Sequence, residues 1–168
     1  MNLRLIRGDD FFFACRQMNE AYTIGSLYLA GFAQAQAPHI GLMIPTSSSD
    51  TLVHIRIDRD TSPNWARQVR IQKIEGDMFL TSLLKIGGPI APETLIEASK
   101  EVPVPENDEF GECLPWAMAL VEKLDKQGLI RVQSIEELVT ELEAFVNGNR
   151  AYARRNMFPN VAVSSCSS

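Results

Sequence analysis

The chain has 168 residues, 45% of them hydrophobic and 22% charged, the balance of an ordinary globular domain with room for its own core. A net charge of −5 argues against nucleic acid as the principal partner, and no stretch approaches the roughly 20 apolar residues of a membrane span. Three cysteines, at positions 15, 113 and 166, are too few and too scattered for a disulfide framework or a zinc cluster, so a reducing, cytoplasmic setting is expected.

Residues 1–160 read as one globular domain, with 161–168 as a frayed tail. The opening segment carries Asp9 and Asp10 ahead of the short run Phe11-Phe12-Phe13, which makes a poor signal peptide. Phe12, Cys15 and Met18 at helical spacing predict a short helix within 9–24, and Cys15 there is a small buried hydrophobe. Four strands are expected next. Ser26 to Ala33 is the first, Pro38 to Pro45 carries His39, and Thr51 to Ile57 carries His54 after the turn residues Ser47-Ser48-Ser49-Asp50. Trp65 to Ile74 alternates from Val69 onward and makes the fourth. Short connections between consecutive strands predict an antiparallel meander over residues 26–75.

From Gly76 the pattern changes. Met78 to Leu84 reads as a short helix stopped by Gly87-Gly88-Pro89, and Pro92 to Lys100 as another. A proline-rich acidic loop, Val102 to Asp108, leads to a helix opening at Cys113. Pro115 suits its first turn, and Cys113, Ala117, Leu120, Val121 and Leu124 fall on one face. Lys123 and Lys126 lie at its carboxyl end and Gly128 is its stop. Leu129 to Val132 is a short extended piece. Ser134-Ile135-Glu136-Glu137 matches a capping box that opens a long helix to about Arg154. The overall class is therefore α+β, a sheet packed against the cysteine-bearing helix and further helices towards the carboxyl end.

The chemistry-bearing residues are Cys113, His39 and His54. A thiol in the first turn of a helix meets the positive end of the backbone dipole, which favours a thiolate. The chain holds only two histidines, and both fall on predicted neighbouring strands. Together the three residues have the composition of a nucleophile, a base and a group that orients the base. Taken singly, each has a bland reading, as a packed core thiol or a satisfied strand histidine. Arg67, Arg70 and Lys73 read as an exposed strand face rather than an anion site. Trp65 and Trp116 read as packing residues.

The order His39, His54, Cys113, with the histidines on successive strands and the cysteine opening a later helix, resembles the circularly permuted branch of the papain-like thiol enzymes, typified by lecithin:retinol acyltransferase. The segments 26–33, 38–45, 52–57 and 112–124 also resemble a set of uncharacterised fungal proteins with the same layout. The resemblance spans roughly residues 26–130 and rests on short motifs. It implies a permuted papain-like fold and a small cytoplasmic enzyme acting on an ester, thioester or amide carbonyl, by acyl transfer or hydrolysis. Cys113 would attack, His39 would move the proton and His54 would hold the imidazole. No metal or organic cofactor is required, and the partner is a small molecule carrying an acyl or amide group. Where the acyltransferases have asparagine before the cysteine this chain has Glu112, whose charge is expected to raise the thiol pKa. That departure, with Leu114-Pro115-Trp116, sustains the alternative of a non-catalytic member of the fold that binds a small molecule or a protein.

Overall fold

The computed structural model describes residues 21–168. The expected first helix falls largely outside the described residues, as does Cys15; residues 21–24 are loop and turn. The four expected strands are present as β1 (Leu27–Phe32), β2 (His39–Pro45), β3 (Asp50–Arg56) and β4 (Ala66–Gln72). They pair antiparallel in sequence order. The β2–β3 hairpin closes at Pro45 opposite Asp50, and its tight connection is held by the Thr46 N–H donating to the Ser49 carbonyl at 2.8 Å.

Two expectations are corrected beyond this meander. Residues 80–87 are a strand, β5 (Leu80–Gly87), where a helix over 78–84 was expected. A short apolar run has no periodicity that separates a buried strand from a buried helix. Here the run lies beside β1 in the sheet interior and is buried along most of its length. The segment from 161 is not a frayed end, because β6 (Asn160–Val163) pairs parallel with β5. Cys166 is buried, Val132 bridges to Ser167, and the Gln133 N–H donates to the Cys166 carbonyl. Among the described residues the sheet is therefore six-stranded and mixed, in the order β4-β3-β2-β1-β5-β6, rather than a four-stranded antiparallel one.

Among the described residues three helices lie between β5 and β6 in the chain: α1 (Pro92–Lys100), α2 (Cys113–Lys126) and α3 (Ile135–Gly148). Leu42, Ile44, Val53 and Ile55 of the sheet join Ala117, Leu120, Val121 and Leu124 of α2 in one apolar cluster. That cluster also takes in Leu138 and Leu142 of α3, so the helices cover one face of the sheet. The opposite face holds a second, smaller cluster with Tyr28, Met43, Leu52, Leu83 and Phe158. Tyr22 stacks on Tyr28 there and meets the Phe158 ring edge-on. β1 and β2 are thus buried on both faces, which accounts for their near-continuous apolar sequences.

α2 starts at Cys113 and stops where Gly128 takes φ +73°, a conformation that a side chain disfavours. α3 starts on the Ser134 cap, whose side chain accepts from the Glu137 N–H at 3.2 Å. It ends at Gly148, earlier than expected, and a 3-10 turn at Arg150–Tyr152 follows. Among the described residues no helix is long and apolar enough to cross a membrane.

Leu120 is fully buried between α2 and the sheet. Leu120→Ala is expected to lower unfolding stability by about 2–5 kcal/mol through lost transfer energy and the cavity left behind. Equilibrium urea denaturation measures it, and a loss below about 1 kcal/mol would remove α2 from the core.

Candidate functional site

The pleat of β2 divides its side chains between the two faces of the sheet. Ile40, Leu42 and Ile44 face the helices, while His39, Gly41 and Met43 face the other way. On β3, Leu52, His54 and Arg56 share the face of Gly41. On β4, His54 stands opposite Gln68. Both imidazoles therefore lie on one face, on the neighbouring strands expected for them.

Their contact is direct. His39 Nε2 lies 2.7 Å from His54 Nδ1, and His54 Nε2 lies 2.9 Å from Gln68 Oε1. The rings meet edge to face with centroids 4.9 Å apart. With the Gln68 carbonyl oxygen facing the ring, His54 Nε2 must donate, which leaves His54 Nδ1 as the acceptor from His39 Nε2–H. His39 Nδ1 then carries the lone pair at the open end of the chain. Among the described residues nothing hydrogen-bonds to that nitrogen, and it is not sealed from solvent. Burial is the main reason that both imidazoles are pushed down to about 4. For His39 the neighbouring His54 and then Arg56 add to the effect; for His54 the Gln68 bond opposes it, while Arg56 and Arg70 add to it. Both rings are neutral at pH 7.

Gly41 makes the contact possible. A Cβ on it would lie 2.8 Å from Leu52 Cδ1 and 3.0 Å from His54 Cβ. Even a methyl group there would force Leu52 Cδ1 aside and press on His54 Cβ. Phe32, across from His39 in the β1–β2 register, closes the other side with its ring centroid 6.0 Å from the imidazole.

Cys113 is placed differently. It opens α2 on the helix-covered side, buried beside the Ile40 backbone. Burial raises the thiol pKa; hydrogen bonding from the backbone N–H of Ile40, then of Leu114 and of Cys113 itself, opposes the rise. The expected charge effect of Glu112 is not among the causes. The loop before Cys113 is pinned by Trp65, whose Nε1 donates to the Glu109 carbonyl at 2.9 Å and whose N–H donates to the Asn107 carbonyl. Trp116 Nε1 lies 3.4 Å from the Val102 carbonyl. Both tryptophans therefore fasten this loop as well as pack.

Strand alternation therefore sets the thiol and the imidazole pair on different faces, and no hydrogen bond joins Cys113 to His39 among the described residues. Both border one cleft at the end of the sheet. His39 is the first residue of β2, and it lines with Cys113 a cleft of about 670 Å³ that also borders Trp65, Phe110, Leu114 and Val146. Gln68 and Gly41 belong to the site but carry no motif. Gln68 could be found only by registering β4 against β3, and the 57–65 connection, without a tight-turn geometry, leaves that register open in the sequence.

No metal-holding group of three or more His, Cys, Asp or Glu exists among the described residues. No family model, no curated protein and no solved structure matches this chain.

The histidine pair makes a pH-dependent contribution to stability. An unfolded-state histidine takes up a proton near pH 6.5, whereas the folded pair resists protonation down to about pH 4. The unfolded state thus binds more protons in that window, so stability is fully present above pH 6.5 and is lost as pH falls towards 4. Proton NMR should show both imidazole signals titrating near pH 4; titration of either ring near 6.5 would contradict the buried pair. In Gly41→Ala, at least one of the two signals should return towards 6.5 as His54 is displaced.

Proposed function

We propose that this chain is a thiol-dependent enzyme that transfers or hydrolyses an acyl group at an ester, thioester or amide carbonyl. The observation that carries the proposal is the open end of the histidine chain. His39 is held at Nε2 by His54, itself held by Gln68, and its unpartnered Nδ1 belongs to a residue lining the Cys113 cleft. A base fixed on one side and free on the other is what general-base catalysis needs.

Burial keeps the resting thiol and the resting imidazole both neutral, so the chemistry would run from a neutral pair rather than a thiolate–imidazolium pair. Cys113 Sγ bonds to the substrate carbonyl carbon as its proton passes to His39 Nδ1, directly or through one water at the end of the sheet. The π electrons of the carbonyl move to oxygen. Backbone N–H groups at the start of α2 are the donors available to that oxyanion. Collapse of the intermediate expels the alcohol, thiol or amine, which takes the proton from His39 and leaves a thioester on Cys113. Water or an acceptor then gives its proton to His39 as it attacks the thioester, and Cys113 leaves as the thiol. His54 and Gln68 steady the imidazolium through its Nε2–H without taking the proton. The permuted papain-like architecture belongs to the same proposal, which the chain order and the α2 placement support.

A second reading is favoured by one feature, the lack of a hydrogen bond between the thiol and His39. In that reading the chain binds a small molecule or a protein partner in the cleft and Cys113 is a packing residue.

Alkylation by iodoacetamide separates the two. An enzyme thiol deprotonated by His39 should react in the folded protein at neutral pH, and His39→Ala should slow that reaction at least tenfold with the fold unchanged by circular dichroism. Equal rates in the two proteins would leave His39 without a role at the sulfur. With a panel of p-nitrophenyl esters, Cys113→Ala should abolish turnover, His39→Ala should be nearly as damaging, and His54→Ala should be milder. Cys166→Ala should leave activity unchanged, and full activity in Cys113→Ala would end the proposal.

A further inference from the structure

The face of the sheet that carries the histidine pair forms a second cleft, of about 570 Å³, adjoining the one lined by Cys113. Its floor includes Leu52 and the two imidazoles, and Phe32, Trp65 and Phe79 contribute apolar surface. The pleat also sends Arg56 from β3 and Arg70 from β4 to this face, Arg70 directly across from Leu52 and Arg56 two residues beyond His54. Arg67 and Lys73 do not share that parity: Arg67 Nη1 instead reaches Ser99 Oγ on α1 at 3.4 Å. Of the expected exposed strand face, Arg70 and Lys73 are exposed, while Arg67 is half-buried on the other side of the strand.

Neither Arg56 nor Arg70 has a carboxylate partner among the described residues, although the chain is acidic overall and its other ion pairs lie elsewhere. One acid reaches the cleft. Asp77 Oδ2 lies 3.4 Å from Gln72 Nε2, and its Oδ1 accepts from the N–H groups of Phe79 and Leu80. Asp77 is thereby tied to the turn before β5 and offsets one positive charge of two. The remaining groups that face the cleft with a titratable proton are His39 and His54, both neutral. A concave, partly apolar surface is left with one uncompensated positive charge and two guanidinium forks.

We propose that this cleft is a binding site for a small carboxylate with an apolar or aromatic body. The carboxylate would take the planar, two-donor geometry that Arg56 and Arg70 offer. The body would lie over Leu52 against Phe32 and Phe79. One surplus charge suits a monoanion better than a phosphate, and the apolar floor disfavours a bare inorganic ion. The cleft's lining excludes Cys113, although its floor includes His39, the base of the proposed thiol chemistry. Gln34, His39, Ile57 and Trp65 are shared by the two clefts, so an occupant of this one would abut the other at His39.

The test uses the full chain and the fact that it has only two histidines, whose carbon-bound protons report directly on the cleft floor. Phenylacetate, its neutral amide phenylacetamide and inorganic phosphate are each titrated to about 50 mM, where a millimolar site saturates. Phenylacetate should shift both histidine signals saturably and raise their titration midpoints, because a bound anion favours the imidazolium. Phenylacetamide should bind at least tenfold more weakly. Arg70→Gln, a change at an exposed position on the edge strand, should weaken phenylacetate binding about tenfold with the thermal midpoint unchanged, and Arg70→Lys should restore only part of the loss. Cys113→Ala should bind phenylacetate as the natural chain does, so loss of turnover in that variant and loss of binding are separate results. Equal binding of phenylacetate and phenylacetamide, phosphate binding as tight as phenylacetate, unaltered affinity in Arg70→Gln or lost affinity in Cys113→Ala would each overturn the assignment.

Discussion

The pleat of β2 is the constraint on which the site depends. One seven-residue strand gives Ile40, Leu42 and Ile44 to the helix-covered core and His39, Gly41 and Met43 to the opposite face. Because both faces are buried, a slip of the strand by one residue would drive His39, Gly41 and Met43 into the α2 contact and turn the aliphatic row towards His54. The apolar packing of α2 on Ile40 and Leu42 therefore fixes where the imidazoles point, although it touches neither ring. The same register puts the α2 amino terminus beside the Ile40 backbone, which is how a thiol and an imidazole from different faces come to line one cleft.

Burial then governs the electrostatics. It pushes both imidazoles down and the thiol up, and all three groups are held in their neutral forms at pH 7. A neutral relay of Gln68, His54 and His39 costs little to bury, because each internal nitrogen has a partner and no net charge is taken from water. An ionised version would need a carboxylate where Gln68 stands. The price of that economy is a weaker pull on an imidazolium than a carboxylate in place of Gln68 would exert.

The two clefts are likewise products of the sheet rather than of loops. β4 sits at the edge of the sheet with polar side chains, and it lends Gln68 to the histidines and Arg70 to the second cleft from alternate positions on the same face. Trp65, just before β4, holds the 107–109 backbone and lines both clefts. A change in the docking of β4 would thus reach the relay, the arginine pair and the loop that delivers Cys113 together.

Much of this was legible in the residues. Alternation and turn chemistry located β1 to β4, the β2–β3 hairpin and the pairing of His39 with His54, because hairpin geometry and side-chain period are local properties. The spacing of Cys113, Ala117, Leu120 and Leu124 located α2 and its buried face for the same reason. The strand β5 was not legible: the run Leu80 to Ile86 has no period that distinguishes the two states, and only its place between β1 and β6 decides it. Nor was β6, a four-residue strand whose partner precedes it by more than seventy residues. Gln68 and the arginine pair needed the register of β4, which the long 57–65 connection does not encode. The sequence by itself determined which residues could do chemistry and which local elements carry them. Only the tertiary structure decided that His39 bonds His54 and His54 bonds Gln68 on one face while Cys113 takes the other, since a side chain's face follows from long-range packing that no local pattern contains.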